Sequence, residues 1–285
     1  MHDHRPRRLI LGLLALSSSV TFPPPIARDQ VFFVGEGPSP VLLALVFQRA
    51  PNGAGTTSVE VKSFLVWEGR FETPFYAQRD VPTWPGSDLT SAATSDGDLR
   101  LSVTEQPLRI EARRPSGALI LEAPALTPAG SGDDPHGQVT WTSGRGTLRV
   151  NGRTVHGTVL WERLTRPRPA WPRFGQFEMW LATEPNGGLV LGRHHVGEPG
   201  VAVHVPRSGP PRIEAFGPEV ARAVPDAETS FPLPLGWRNG PSHLERIAGA
   251  LGRGQAPGGG PAVYDVAFAR GEGVAALVFH LVDSE

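Results

Sequence analysis

Apolar residues recur at every second position through much of this chain, and this period constrains its fold more than any other feature. Residues 59–67 read Val-Glu-Val-Lys-Ser-Phe-Leu-Val-Trp, and Leu99 to Val103 and Leu108 to Ala112 alternate cleanly. A period of two puts successive side chains on opposite faces of a strand. Similar segments run from Ala118 to Leu121, Gln138 to Thr142, Thr147 to Val150, Val155 to Leu164, Phe174 to Thr183 and Leu189 to His194. Four more run from Val201 to Val205, Arg212 to Phe216, Val263 to Ala269 and Val274 to Val282. Turn signals separate them: Pro115-Ser116-Gly117, Asn151-Gly152, Pro185-Asn186-Gly187-Gly188 and Arg270-Gly271-Glu272-Gly273. The 34 Gly and 30 Pro among 285 residues are close to twice the usual share and supply these turns. Only two short segments, Pro218 to Val224 and His243 to Leu251, read as helices. The chain is therefore expected to be all-β, a meander barrel or a sandwich.

Composition removes several function classes. Lys+Arg total 27 and Asp+Glu total 28, a formal net charge of −1, which lacks the basic footprint that nucleic-acid binding needs. With no Cys there is no disulfide, no thiolate catalysis and no Cys-ligated zinc. No G-x-S-x-G elbow is present, and Gly258-Gly259-Gly260 opens no helix that would cradle a phosphate. No cofactor is expected.

The N-terminus has the layout of an export signal. Arg5, Arg7 and Arg8 precede an apolar run from Leu9 to Leu16, then Ser17-Ser18-Ser19. That run is too short to span a bilayer, which takes about 20 residues. Residues 1–27 are read as a signal peptide with the Pro23-Pro24-Pro25 spacer, and the mature protein as secreted or periplasmic. The alternative is an apolar N-terminal strand with a basic tail. About eight strands close a small barrel, so the strands here exceed one unit. The densest mid-chain proline segment, Thr165 to Pro172, divides the chain into residues 28–165 and 166–285.

The stretch from Gly137 to Arg193 then resembles a known family. An aromatic strand, Val139-Thr140-Trp141, precedes Gly146-Thr-Leu-Arg-Val-Asn-Gly152 and a Trp-and-acid strand, Gly157-Thr-Val-Leu-Trp-Glu-Arg163. Phe177-Glu-Met-Trp180 and the Asn186-Gly-Gly188 hairpin follow. In order and spacing this is similar to the AttH-like and carotenoid 1,2-hydratase (hydroxyneurosporene synthase) family. The resemblance implies two consecutive lipocalin-like (calycin) antiparallel β-barrels with an apolar cavity between or within them. It also implies a hydrophobic small-molecule ligand of isoprenoid, polyene or lipid-like character. The family's hydratases carry an Asp-His pair beside the tryptophan of the Gly157 strand. Here Trp161-Glu162-Arg163 stands there: Glu can replace Asp as a proton donor, and the His has no counterpart.

Candidate residues follow from both readings. Glu162 is the candidate general acid if it faces apolar walls; otherwise it belongs to a surface pair. Arg163, its neighbour and a ligand-binding candidate, must point to the opposite face. Trp141, Trp161 and Trp180 are candidates to line the ligand cavity or, alternatively, to fill the core. Trp84 and Trp237 lie in Pro/Gly-rich loops where they would either cover a cavity mouth or pack between the domains. His280, in the last apolar strand, is a further ligand-binding candidate. His194, His195 and His204 show no H-x-H or HExxH spacing, so no metal site is expected. Expected partners are a hydrophobic ligand and peripheral membrane contact, with no nucleic acid. Three functions compete: an exported binding protein, a lyase or isomerase using Glu162, and a structural domain with a filled core. The first two differ in whether Glu162 faces the cavity, and the third in whether a cavity exists.

Overall fold

A computed structural model describes residues 27–51, 57–71, 76–81, 93–95, 100–105, 107–114, 117–134, 137–167, 177–184, 187–195, 199–216, 227–231, 263–271 and 274–282. For some of these positions only the backbone is described. Every regular element among them is a strand, and every pairing is antiparallel. The two expected helices, Trp84, Trp237 and the N-terminal signal lie outside the described residues.

The first sheet is a curled half-barrel of twelve strands. They are β1 (Ala27–Gly35), β2 (Val41–Pro51), β3 (Thr57–Trp67), β4 (Arg70–Phe71), β5 (Tyr76–Val81) and β6 (Ala93–Ser95), then β7 (Arg100–Glu105), β8 (Leu108–Arg114), β9 (Gly117–Ala123), β10 (Thr127–Asp134), β11 (Gly137–Val150) and β12 (Arg153–Pro167). Their order is β4-β3-β2-β1-β12-β11-β9-β8-β7-β6, with β5 on β3 and β10 on β11. The second sheet contains β13 (Phe177–Thr183), β14 (Gly188–His195), β15 (Gly200–Pro206), β16 (Arg212–Phe216), β17 (Ala227–Phe231), β18 (Val263–Gly271) and β19 (Val274–Val282), in the order β16-β15-β14-β13-β19-β18-β17.

Strand alternation builds two apolar layers from the first sheet. On one face Val31, Phe33, Leu43, Leu45, Phe47, Leu108, Ile110 and Trp161 gather into one core. On the other face Phe32, Val34, Leu42, Ala44, Trp141 and Leu160 meet Met179, Leu181, Leu189, Leu191, Leu277 and Phe279 of the second sheet. Phe64 and Phe279 meet edge to face across this layer, with ring centroids 5.1 Å apart. Each fully buried side chain of this size contributes about 1.5–3 kcal/mol. The two sheets are thus joined by a continuous core as well as by sequence.

Three departures from the sequence expectation have physical causes. The segments Gln138 to Thr142 and Thr147 to Val150, expected as two strands, are one long strand, β11. The Ser143–Gly146 stretch that interrupts the apolar pattern stays paired with Leu160, Val159, Thr158 and Gly157 of β12. β1 and β2 show runs such as Leu42-Leu43-Ala44-Leu45 rather than alternation, because both of their faces are buried. β10, Thr-Pro-Ala-Gly-Ser-Gly-Asp-Asp, has turn composition and is extended by its ladder to β11. The β11–β12 turn keeps its expected form: Asn151 (φ 50°) and Gly152 (φ 83°) are both left-handed, as a tight Asn-Gly hairpin requires.

Candidate functional site: a cleft on the β11–β12 hairpin

The β11–β12 register sets Thr140 opposite Arg163, Trp141 opposite Glu162 and Thr142 opposite Trp161. Opposed residues share a face and successive ones change face. Thr140, Thr142, Trp161 and Arg163 therefore lie on one side of the hairpin, and Trp141 and Glu162 on the other.

The first side opens into a cleft of about 440 Å³. Its other walls are Pro107 and Leu108 at the start of β8, and Pro124, Ala125 and Leu126 in the link from β9 to β10. Leu108 and Trp161 also belong to the first core, so the cleft lies at its margin. Asp29 of β1, 1% exposed, organises the polar wall. Its Oδ1 accepts the Trp161 indole N–H at 3.2 Å and the Arg163 Nε–H at 2.9 Å. The Arg163 guanidinium carbon stands 4.5 Å from the Trp161 ring centroid, in cation–π range. Arg163 retains 28% of its side-chain exposure and forms part of the cleft surface. Aromatic face, guanidinium and two threonines thus meet beside five apolar residues.

The second side is closed. Glu162, 1% exposed, lies between the two sheets. Its Oε2 accepts the Trp141 indole N–H at 2.8 Å and Arg193 Nη1–H at 2.9 Å. Arg28 Nη2 stands 3.7 Å from Oε1. Arg193 comes from β14 of the second sheet, and its guanidinium carbon is 5.3 Å from the Trp141 ring centroid. A buried carboxylate in this position is tolerated because charged and hydrogen-bonding partners surround it. Arg193 is therefore a tie between the sheets.

Of the residues singled out in the sequence, Trp161 and Arg163 line the cleft. Glu162 and Trp141 meet each other on the opposite face of the hairpin, not in the cleft. Trp180 lies on β13, on the face of the second sheet turned away from the first, and His280 is placed in β19, where only its backbone is described. Asp29, Arg28 and Arg193 were not singled out. Asp29 is 134 residues from Arg163 in sequence, so no local spacing signals it. Among the described side chains, no group of three or more His, Asp or Glu is arranged to hold a metal ion.

No family model matches the sequence, and no curated protein matches it. The fold is similar to solved proteins of lipocalin-like fold. One is an AttH-type protein from Nitrosomonas europaea, at 14% identity over 91% of this chain and 93% of that one, with a TM-score of 0.49. Another is kievitone hydratase from Nectria haematococca, at 10% identity over 91% and 89% of the two chains, with a TM-score of 0.46. A third is CghA, at 10% identity over 92% and 90%, with a TM-score of 0.34.

Proposed function

We propose that the protein binds a small, mainly apolar molecule with one polar end in the cleft beside Trp161 and Arg163, and that it does so outside the cytoplasm. The observation that carries this reading is the joining of Trp161 and Arg163 through one buried carboxylate, Asp29, at the wall of an open cleft. A volume of about 440 Å³ suits a ligand of ordinary small-molecule size. Leu108, Pro124, Leu126 and the Trp161 ring receive the apolar body. Arg163, Thr140 and Thr142 offer donors to a carbonyl, hydroxyl or acid group. Export is supported by the basic, then apolar, then serine-rich order of residues 5–19.

Binding is preferred to turnover because none of the described residues lining the cleft is a carboxylate or histidine. Acid catalysis by Glu162 would need a substrate in the closed layer between the sheets, where Trp141 and Arg193 already occupy its Oε2. The test is mass spectrometry of an organic extract of the protein purified from its own cells, with N-terminal sequencing of the same sample. A stoichiometric apolar molecule and a chain lacking its first twenty or so residues are expected. An empty protein that also takes up no apolar fluorescent probe would refute the binding reading.

A further inference from the structure

The β11–β12 ladder runs on in regular register past the polar wall of the cleft. Thr140 is opposite Arg163, Thr142 opposite Trp161 and Gly144 opposite Val159. These three rows share one face of the hairpin and stand roughly 7 Å apart, at about 3.4 Å per residue. Exposure falls along them: the Arg163 side chain is 28% exposed, Trp161 7% and Val159 0%. The cleft is thus open and polar at one end, and closed and apolar at the other. The closed end forms where the neighbour of β11 changes. β10 pairs with β11 as far as Ser143, and β9 pairs with it from Thr147 onward. The link between β9 and β10 crosses the hairpin in that gap. A Cβ on Gly144 would collide with the Ala125 carbonyl oxygen and stand 3.0 Å from Leu126 Cδ2, so only glycine lets the link lie this close. The link is held at both ends. Ala123 is buried in the first core, and the Thr127 hydroxyl donates to the Ser143 carbonyl at 3.3 Å. Pro124 stiffens the segment between them.

We propose that Leu126, seated on Gly144, sets the length of the ligand, and that the ligand is a short amphiphile rather than a long polyene. This rests on the reading of the cleft as a binding site and adds its direction and its size limit. The polar end lies in the Thr140–Arg163 row, the body crosses the Trp161 ring, and the tail stops against Leu126. From the first row to the third is roughly 13 Å. A zigzag chain with single bonds of about 1.5 Å advances about 1.3 Å per carbon, so roughly ten carbons fill that distance. The cleft volume of about 440 Å³ lies toward the small end of ligand sites, in keeping with this limit. A longer molecule leaves its surplus at the open end, in water, where it adds no affinity.

The test titrates the full chain with straight-chain 2-alkanones of increasing length, read by displacement of anilinonaphthalene sulfonate. In the wild type each added carbon should tighten binding about fourfold up to roughly ten carbons, and further carbons should add nothing. Leu126→Ala should move this limit to longer chains, so that the first ketone beyond the wild-type limit gains about fourfold. Leu126→Phe should move it to shorter chains. A variant that merely loosened the fold would weaken every ketone alike, and circular dichroism confirms strand content in both. Ala125→Trp, which fills the cleft, should weaken every ketone at least tenfold. Affinity that keeps rising with length in the wild type, or a limit that stays in place in both folded Leu126 variants, would overturn the size assignment while Ala125→Trp still abolished binding. Ketones that displace no probe, or displace it equally from wild type and Ala125→Trp, would overturn the binding reading and this inference with it.

Discussion

Removing Arg193 should weaken the protein far more than removing an ordinary surface arginine. Arg193 Nη1 donates to Glu162 Oε2 at 2.9 Å, and the side chains are 7% and 2% exposed. Breaking a buried ion pair from one side typically costs about 3–5 kcal/mol, because the surviving charge stays buried without its partner. In Arg193→Ala, Glu162 keeps the Trp141 indole at 2.8 Å and Arg28 at 3.7 Å. The loss should therefore fall near the lower end, about 3 kcal/mol. The double variant Glu162→Leu/Arg193→Met removes both charges while keeping apolar volume. It should lie about 1–3 kcal/mol below the wild type, because packed apolar groups can replace the ion pair itself but leave the buried Trp141 indole N–H without its acceptor. Equilibrium urea unfolding followed by far-ultraviolet circular dichroism measures both. A loss below about 1 kcal/mol in Arg193→Ala, the range of exposed pairs, would show that Glu162 is solvated and that Arg193 does not tie the sheets.

Asp29→Asn should keep the chain folded but weaken ligand binding about tenfold or more. It replaces a charged acceptor for Arg163 and Trp161 by a neutral one, and a probe titration against wild type measures the change. Gly152→Val should cost about 1–2 kcal/mol in thermal or urea unfolding, because a β-branched residue would have to adopt φ 83° in the β11–β12 turn. Arg109, then Arg113, hold the Glu111 carboxyl below its ordinary value of 4.5. Its contribution is thus present above the ordinary value and lost as the pH falls through the lowered one. Glu111→Gln should cost less than about 1 kcal/mol at neutral pH, with the difference from wild type vanishing in acid on a pH series of unfolding curves.

What the sequence shows and hides follows from the range of each interaction. β8, β9 and β15 are legible because one face of each is apolar and Gly or Pro marks turns beside them, whereas β12 feeds both cores and is legible from its length and the Asn151-Gly152 turn before it. β1 and β2 escape a period-two reading because Val31 and Phe33 feed one core while Phe32 and Val34 feed the other. That Glu162 and Arg163 take opposite faces also follows from adjacency alone. Which face holds the cleft does not, because Pro107, Pro124 and Leu126 reach it from distant turns. Asp29 and Arg193 are hidden for the same reason: Asp29 meets β12 through the long-range β1–β12 pairing, and Arg193 meets it across the packed sheets.

Ligand occupancy in wild type and in Ala125→Trp, compared side by side, tests the proposed cleft most directly. Ala125 is exposed and lines the cleft from a connecting link, so a large ring there fills the space without disturbing either core. Extraction and mass spectrometry of both proteins should show the bound molecule in wild type and at least a tenfold drop in Ala125→Trp, with unchanged circular dichroism. Equal occupancy in the two would place the ligand elsewhere and contradict the assignment of the cleft.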